Sequence, residues 1–347
     1  MIIDIFNHFY PIEYLDELEK VHPIIELRLA EDGRIYVYDR ITGQPYAHLR
    51  REGAFVDIER RLNLMDKYNI SKQVLTIGYP ATNPVERVSD TKFMVKLART
   101  CNEALSKIVE KYPDRFEGVA ELPMLSTDDA LEEAERAVKE LGLKGFQIYT
   151  SIAGKTLDDP LFYPILEKIH RLGVPILLHP TTPTKDNVRS YELDYELWLF
   201  YGWPFETSLA ISRLVFSNIL DRLPGLKIVT HHLGGMIPFF AKRISELAAQ
   251  KRKGGALATS KLSKPILEYF KSMYHDTAVN GYTPALKCGY ELFGADHIVF
   301  GTDFPFGPDD GELTLRMVTQ SIKEMGLSEE EEEKIFWRNA KNLLKIK

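Results

Sequence analysis

Residues 160–180 read PLFYPILEKIHRLGVPILLHP, a helix followed directly by a strand. The apolar face of the predicted helix consists of Leu161, Ile165, Ile169 and Leu172. These residues recur at helical spacing, and Gly173 after them is typical of a helix end. The run from Val174 to His179 is short, apolar and without alternation. Such a run is typical of a strand that is buried on both faces of a parallel sheet.

The same unit of strand and helix repeats along the whole chain. Apolar runs occur at residues 2–8, 73–78, 116–122, 145–149, 174–179, 226–232, 273–278 and 297–303. Segments of helical period separate them, and the last begins at a capping box formed by Ser328 and Glu331. Eight such units predict an α/β fold, a single (β/α)8 TIM barrel over residues 1–347. In such a barrel the active site lies at the carboxyl ends of the strands.

Two segments interrupt the repeat, and each follows a predicted strand. Residues 26–51 contain two short apolar runs around the turn Glu31-Asp32-Gly33-Arg34. This pattern predicts a small hairpin inserted after strand 1, a candidate lid. Residues 180–205 form a long loop that is rich in tyrosine and tryptophan. Loops of that length are usually functional, so this one is a second candidate for a contact with substrate.

Composition and charge limit the kinds of partner. The 347 residues carry 44 Lys and Arg against 50 Asp and Glu, a net charge of −6, without a basic cluster. Neither nucleic acid nor a membrane surface is therefore an expected partner. Asp4 and His8 interrupt the region where a signal peptide would be apolar, and two cysteines imply no disulfide framework. We expect a cytoplasmic protein that acts on a small molecule.

Metal-binding side chains occur where four of the predicted strands end. His8 ends the first run, His179 the fifth, His231 and His232 the sixth, and Asp303 the eighth. Imidazole and carboxylate both suit zinc, and three protein ligands plus water is the usual arrangement of a catalytic zinc. His8, His179 and Asp303 supply that set. The sequence predicts one divalent metal at the barrel mouth: zinc, with manganese or magnesium as alternatives.

Short motifs along the chain match a known family. They are IDIFNHFYP at 3–11, HP at 179–180, WPFET at 203–207, PGLKI at 224–228, HLGG at 232–235 and FGTDFP at 300–305. In this order, over nearly the full length, the chain resembles the amidohydrolase superfamily. The branch it resembles contains aminocarboxymuconate-semialdehyde decarboxylase and related aromatic-acid decarboxylases. The resemblance implies a (β/α)8 barrel that holds one divalent metal, commonly zinc.

In that family the metal is held by a His-x-His pair on strand one, a histidine on strand five and an aspartate on strand eight. Carried over by position, His8, His179 and Asp303 are the metal ligands. His232 becomes the residue that transfers a proton, and Asp303 serves in catalysis as well as in metal binding. A single histidine at a strand end is more often structural, but ligands on three strand ends that share one mouth favour a metal site.

Phe6 stands where the family has the first histidine of the pair. Phenylalanine cannot coordinate a metal, so we expect the metal to be bound weakly or to be absent. Asn7 does not replace the histidine, because alternate strand residues point to opposite faces and Phe6 shares the face of His8. By the same rule His231 faces away from His232, behind the site or in packing. Phe6 would also make one side of the mouth apolar, which suits an aromatic substrate.

The remaining candidates for substrate binding each have a structural alternative. Trp198 and Trp203 predict either an aromatic wall of the site or a contact between subunits. Glu206 matches a family position, yet the helix dipole alone favours an acidic residue at a helix start. Arg50 and Arg51 follow the predicted hairpin and could reach a substrate carboxylate, or could simply be solvated.

Two classes of function fit the sequence. The first is a metal-dependent decarboxylase of a small carboxylated aromatic or muconate-like acid, with hydrolysis of a lactone, an amide or a carbon–carbon bond as the alternative. The second is a metal-free barrel that binds a ligand without catalysis, which Phe6 motivates. The joint presence of His8, His179, His232 and Asp303 favours the enzyme. We further expect a homodimer.

Overall fold

A computed structural model of the chain describes residues 1–19, 25–31, 34–39, 44–78, 90–181, 195, 197–254 and 262–346. The strands are β1 (Ile3–His8), β2 (Ile25–Leu29), β3 (Arg34–Asp39), β4 (Gln44–Arg50), β5 (Lys72–Thr76), β6 (Phe116–Gly118), β7 (Phe146–Tyr149), β8 (Ser151–Ile152), β9 (Lys155–Thr156), β10 (Ile176–His179), β11 (Ile228–Thr230) and β12 (Tyr274–His275). The α-helices are α1 (Ile12–Glu19), α2 (Ile58–Lys67), α3 (Thr91–Lys111), α4 (Thr127–Lys139), α5 (Tyr163–Leu172), α6 (Trp203–Phe216), α7 (Ile219–Arg222), α8 (Ile237–Gly254), α9 (Ile266–Lys271), α10 (Thr283–Phe293), α11 (Glu312–Lys323), α12 (Glu329–Glu333) and α13 (Asn339–Leu344).

The parallel strands follow one another in chain order. One sheet has the order β1-β5-β6 and the other the order β7-β10-β11-β12, with parallel pairing throughout. Isolated parallel bridges add further links: Ala120 to Phe146, His275 to Ile298, and Asn7 to Phe304. This is the mixed α/β arrangement of a (β/α)8 barrel, with its carboxyl strand ends on one side.

Seven of the eight apolar runs contain one of these parallel strands. Residues 297–303 contain no assigned strand, yet backbone hydrogen bonds join them to both neighbours: Val299 donates to the oxygen of His275 at 2.9 Å, and Ile5 donates to the oxygen of Phe300 at 2.8 Å. Part of their backbone bonds to the C-terminal segment: Phe300 donates its N–H to the oxygen of Ile335 at 2.8 Å, and the oxygen of Ile298 accepts from the Asn339 amide at 2.8 Å. This run therefore occupies the place between β12 and β1 where the eighth strand is predicted, without a continuous strand ladder.

The inserted segment is larger than the predicted hairpin. β2 pairs antiparallel with β3, and β3 pairs antiparallel with β4, so that three strands form a separate sheet. β4 escaped prediction because it is polar and contains Pro45, which weakens a strand signal. Ile35 and Val37 are buried in the large apolar cluster that also contains Phe9, just after β1. The sheet is thus anchored to the core. Residues 32–33 and 40–43 lie outside the described residues.

The helix ends mostly follow the sequence signals. α4 begins directly after Ser126, and the capping box of Ser328 and Glu331 is present at the start of α12. α5 begins at Tyr163, later than Pro160 suggested, and ends at Gly173 with a left-handed φ of 68°. No helix in the described part of the chain is both long and apolar enough to cross a membrane.

Candidate metal centre

Three imidazole rings meet at the carboxyl ends of the parallel strands. His8 ends β1, His179 ends β10, and His231 directly follows β11. All three are buried, and their ring centroids are 5.2 Å apart for His8 and His179, 5.4 Å for His179 and His231, and 6.1 Å for His8 and His231. One ligand nitrogen from each ring lies within 4.8 Å of the other two. The rings therefore surround a single point.

Hydrogen bonds on the outer side orient His8 and His179. Nδ1 of His8 lies 2.8 Å from Oγ1 of Thr76. Since that hydroxyl donates its own proton to the backbone oxygen of Asn7 at 2.6 Å, it accepts from His8. Nδ1 of His179 donates to the backbone oxygen of Pro180 at 2.6 Å. In both neutral rings the Nε2 lone pair is left for a metal, which is the usual state of a histidine ligand.

A carboxylate orients the third ring. Nδ1 of His231 is hydrogen-bonded to Oδ2 of Asp276, and both side chains are fully buried. Oδ1 of Asp276 accepts from the backbone N–H groups of Leu233 and Ala278, each at 3.1 Å. Because its own position is fixed by these bonds, Asp276 holds the His231 ring with Nε2 turned toward the cluster.

Asp303 completes the cluster. Its Oδ1 lies 3.1 Å from Nε2 of His8 and 3.4 Å from Nε2 of His231, and its Oδ2 lies 3.9 Å from Nε2 of His232. Nε2 of His8 is buried and has no hydrogen-bond partner among the described residues. In the neutral ring a lone pair thus faces a carboxylate, and a cation between them would remove this unfavourable contact. The side chains present fit a divalent metal ion.

The charge state of the cluster follows from burial and from the paired carboxylates. Burial lowers the pKa of His8 and holds that of His179 well below its usual range. Burial opposes ionisation of Asp303, but His231 and His8 outweigh it and keep the pKa of this carboxyl well below its usual range. Burial of His231 is likewise outweighed by Asp276, so that its pKa rises to about 9. A metal at this nitrogen would have to displace a proton.

Phe6 lies in the same cluster and offers it no ligand atom. The ring is fully buried and stacks on the ring of His231, with centroids 3.9 Å apart and planes at 6°. Its centroid is 5.9 Å from that of His8 and 6.1 Å from that of His179. Asn7 is directed elsewhere: its amide donates to the backbone oxygens of Asp4 at 3.0 Å and Val74 at 3.1 Å.

The expectation that His231 faces away from the site is wrong. β11 stops at Thr230, and His232 and Leu233 have left-handed φ angles of 52° and 56°, so strand alternation does not extend through them. His231 and His232 therefore both reach Asp303, with ring centroids only 3.8 Å apart. Burial lowers the pKa of His232 to about 4, and its buried Nδ1 has no partner in the described structure.

A buried arginine fixes the end of β1. Arg61 of α2 is fully buried, and its five N–H groups make five hydrogen bonds. Nη1 donates to Oδ1 of Asn7 at 2.7 Å and to Oε1 of Gln73 at 2.9 Å. Nη2 donates to the backbone oxygen of His8 and, together with Nε, to that of Ala54. The guanidinium thus sets the backbone that carries the His8 ring.

Asp4 fixes the backbone at Thr302, directly before Asp303. Oδ1 of Asp4 accepts from the backbone N–H of Thr302 at 3.1 Å, and Oδ2 accepts from the Thr302 hydroxyl at 2.7 Å. Gln73 donates to the same carboxylate at 3.1 Å. Gln73 also accepts a hydrogen bond from Arg61. Arg61, Gln73 and Asp4 therefore form one hydrogen-bonded chain that links the backbone at His8 to the backbone beside Asp303.

Several contributors were missed in the sequence, among them Arg61, Thr76 and Asp276. Asp276 directly follows β12, so the criterion of a carboxylate at a strand end could have found it. Thr76 ends β5 in the same way, but a threonine there is common in strands. Nothing in the local pattern of α2 separates the buried Arg61 from the exposed Arg60.

The aromatic candidates lie beside the cluster. The Trp203 ring centroid is 5.7 Å from that of His179 and 6.3 Å from that of His232, and Trp198 packs on Trp203 at 5.4 Å. Phe306 adds a ring 5.6 Å from His8. Together they give the mouth an apolar wall.

The charged candidates lie on separate elements. Glu206 is half-buried in the first turn of α6. Arg51 forms an ion pair with Asp16 of α1. Arg50 ends β4, and its side chain lies outside the described residues. His275 bonds to Thr230, stacks on Phe293 and is not part of the histidine cluster.

Residues 3–346 match the sequence pattern of the amidohydrolase family. The chain belongs to this family. Gamma-resorcylate decarboxylase from Polaromonas sp. strain JS666 is 33% identical over 300 residues, which are 83% of this amidohydrolase chain and 87% of the relative. The 2-amino-3-carboxymuconate-6-semialdehyde decarboxylase of Dictyostelium discoideum is 36% identical over 249 residues, 72% of this chain and 66% of the relative.

A solved structure gives the same result for the fold. Dihydroxybenzoic acid decarboxylase from Polaromonas sp. JS666, with bound manganese and the inhibitor 2-nitroresorcinol, superimposes with a TM-score of 0.76. It is 29% identical, and the match covers 99% of this amidohydrolase and 96% of that chain. The family resemblance that the motifs indicate is confirmed, and the likeness to this family implies a mixed α/β fold of the (β/α)8 type. The chain is an enzyme of the amidohydrolase superfamily, and its relatives are decarboxylases.

Proposed function

We propose that this amidohydrolase is a metal-dependent decarboxylase of a small aromatic or muconate-like carboxylic acid. The observation that carries the proposal is the convergence of His8, His179 and His231 on one buried point, with the Asp303 carboxylate 3.1 Å from His8 and a wall of aromatic rings beside it. Two relatives are decarboxylases named for resorcylate and carboxymuconate compounds, which supports the same substrate class.

The proposed metal ligands are His8, His179 and Asp303. Nitrogen and carboxylate ligands suit zinc, whereas the dihydroxybenzoic acid decarboxylase of Polaromonas holds manganese, so both ions are candidates. When bound, such an ion supplies Lewis-acid chemistry to substrate oxygens. Because Phe6 offers no ligand atom, we expect the metal to bind less tightly here than at a site in which residue 6 is a ligand.

The proton that replaces the carboxylate is assigned to His232 and Asp303. Nε2 of His232 lies 3.9 Å from Oδ2 of Asp303, too far for a hydrogen bond, so Asp303 favours a proton on His232 through its negative charge. As the bond to the carboxylate breaks, its electron pair remains on the substrate carbon. That carbon takes up the proton while carbon dioxide leaves. The aromatic surroundings exclude water from the step.

The aromatic wall would bind the body of the substrate. Phe6, Trp198 and Trp203 offer ring faces and edges for an aromatic or conjugated acid. We assign Arg50, Arg51 and Glu206 to the polar end. Arg51 can exchange partners, because its pair with Asp16 is solvent-exposed and such pairs are weak. The sheet of β2, β3 and β4, which carries these arginines at its end, would act as the lid.

A homodimer is proposed from an apolar surface next to the site. Phe200, Tyr201, Phe205 and Phe239 are 60, 66, 52 and 79% exposed. Phe200 and Tyr201 directly precede α6, Phe205 lies on α6 and Phe239 on α8, and a 2.7 Å hydrogen bond from the N–H of Met236 to Oγ of Ser208 joins the two helices. A cluster of exposed rings of this kind is typical of a protein interface. Sedimentation equilibrium checks the proposal: a Phe239→Ser variant should dissociate more readily than the parent protein.

The test of function is a substrate panel with a matched pair of variants. Protein loaded with manganese or zinc is incubated with hydroxybenzoic acids, including 2,6-dihydroxybenzoate, and with muconate-type acids, and products are identified by mass spectrometry. His179→Ala should abolish turnover, whereas His170→Ala on α5 should retain it. Products that keep the carboxylate would favour hydrolysis, and a lack of any turnover with any loaded metal would favour a binding role.

A further inference from the structure

We infer that His231 is a metal ligand that takes the place Phe6 leaves open, and that Asp276 orients it for this task. The inference rests on the proposed metal-dependent function and goes beyond its ligand set of His8, His179 and Asp303. It follows from three observations on the described residues.

The first observation is convergence. The ligand nitrogens of His8, His179 and His231 all lie within 4.8 Å of one another, so one ion can reach all three. Oδ1 of Asp303 faces two of them, at 3.1 Å from His8 and 3.4 Å from His231. His231 and His8 thus lie at similar distances from the Asp303 carboxylate. The cluster offers three nitrogens and one oxygen, a complete tetrahedral set for zinc.

The second observation is the bond on the far side of the ring. Metal-binding histidines almost always donate their other N–H to a carboxylate, a carbonyl or water, which fixes the ring and strengthens the ligand. Nδ1 of His231 bonds to Asp276, a buried carboxylate that is itself held by two backbone N–H groups. A histidine needed only for packing would not require a buried carboxylate behind it, because burying such a charge is costly. Ligation would displace the Nε2 proton to solvent.

The third observation is the stacking of Phe6 on His231. The two rings are parallel within 6° at 3.9 Å, so the Phe6 face supports the imidazole along its whole plane. The Phe6 and His8 rings, both from β1, lie at the same cluster with their centroids 5.9 Å apart. The phenyl ring occupies the place of a ligand side chain at residue 6, and the imidazole stacked on it belongs to His231, which directly follows β11. In the proposed ligand set, the histidine that follows the sixth parallel strand thus replaces a ligand on the first.

The test measures metal affinity, independent of turnover. Zinc and manganese titrations by calorimetry compare the parent protein with His231→Ala, Asp276→Asn and the double variant Phe6→His/His231→Ala. We expect His231→Ala to weaken binding at least tenfold and Asp276→Asn by about ten- to a hundredfold. Phe6→His should recover most of the loss in the double variant. His275→Ala is the matched control, because His275 is equally buried and hydrogen-bonded but lies outside the cluster; it should stay within about threefold of the parent.

A second measurement needs no variant and covers the case in which His231→Ala does not fold. X-ray absorption of the zinc-loaded parent protein should count three imidazole ligands, and a count of two would overturn the inference. Unchanged affinity in His231→Ala would also overturn it, while loss of metal in Asp303→Ala would leave the proposed function intact. A parent protein that binds no divalent metal would contradict both this inference and the proposed function.

Discussion

Arg61→Lys should destabilise the metal-free protein strongly, whereas Arg60→Lys on the same helix should not. The Arg61 guanidinium makes five hydrogen bonds to four buried acceptors: Asn7, Gln73, His8 and Ala54. A lysine ammonium has three N–H groups, so at least two of the five bonds are lost and at least one acceptor is left without its donor.

Bonds to a charged donor contribute about 1.5–3 kcal/mol each, so two of them amount to about 3–6 kcal/mol. Since many proteins of this size are stable by only about 5–15 kcal/mol, the loss is a large share of the total. Arg60 is the control because its side chain is 52% exposed and pairs at the surface with Asp310. Its conservative replacement should cost at most about 1 kcal/mol.

The assay is urea denaturation in the presence of EDTA, which keeps metal binding out of the comparison, followed by zinc titration of the folded variants. Arg61→Lys should also weaken the metal affinity, because the backbone of His8 loses its anchor. A loss of stability below about 1 kcal/mol for Arg61→Lys would refute the argument that this guanidinium holds the end of β1.

Three further predictions concern the site. Asp303→Ala should remove nearly all bound metal and leave the far-UV circular dichroism spectrum unchanged; a variant that keeps full metal by elemental analysis would contradict its assignment as a ligand. His232→Ala should retain metal and lose turnover by a factor of about 10² to 10⁴, the usual contribution of acid–base catalysis, and unchanged kcat would return His232 to a packing role. Trp203→Ala should raise KM more than it lowers kcat, because its ring is 5.7 Å from His179 and lines the mouth; Phe240→Ala, an exposed ring on α8, is the control and should leave both constants unchanged.

The parts of the site that are visible in the sequence are those set by local rules. Buried parallel strands give apolar runs, and their carboxyl ends must meet, so the order of residues along the chain is enough to group His8, His179 and Asp303. Alternation predicts Phe6 beside His8; the register of β1 is irregular between Asp4 and Asn7, and the Phe6 ring nevertheless lies in the cluster, 5.9 Å from that of His8.

The parts that escaped depend on contacts between distant segments. Alternation failed at His231 because the strand ends one residue earlier and the chain turns through two left-handed residues. Arg61 has the helical surroundings of any surface arginine, and its burial follows from acceptors supplied by β1, β5 and the segment before α2. The strand β4 contains Pro45 and polar residues, so only its pairing with β3 reveals it.

The most direct test of metal-dependent decarboxylation is turnover in deuterium oxide, followed by NMR and mass spectrometry. The manganese- or zinc-loaded protein should release carbon dioxide from an aromatic or muconate-type acid and place one deuteron on the carbon that held the carboxylate. EDTA treatment and Asp303→Ala should each abolish the reaction. Equal turnover in EDTA-treated protein, or a product that still carries the carboxylate, would contradict the account.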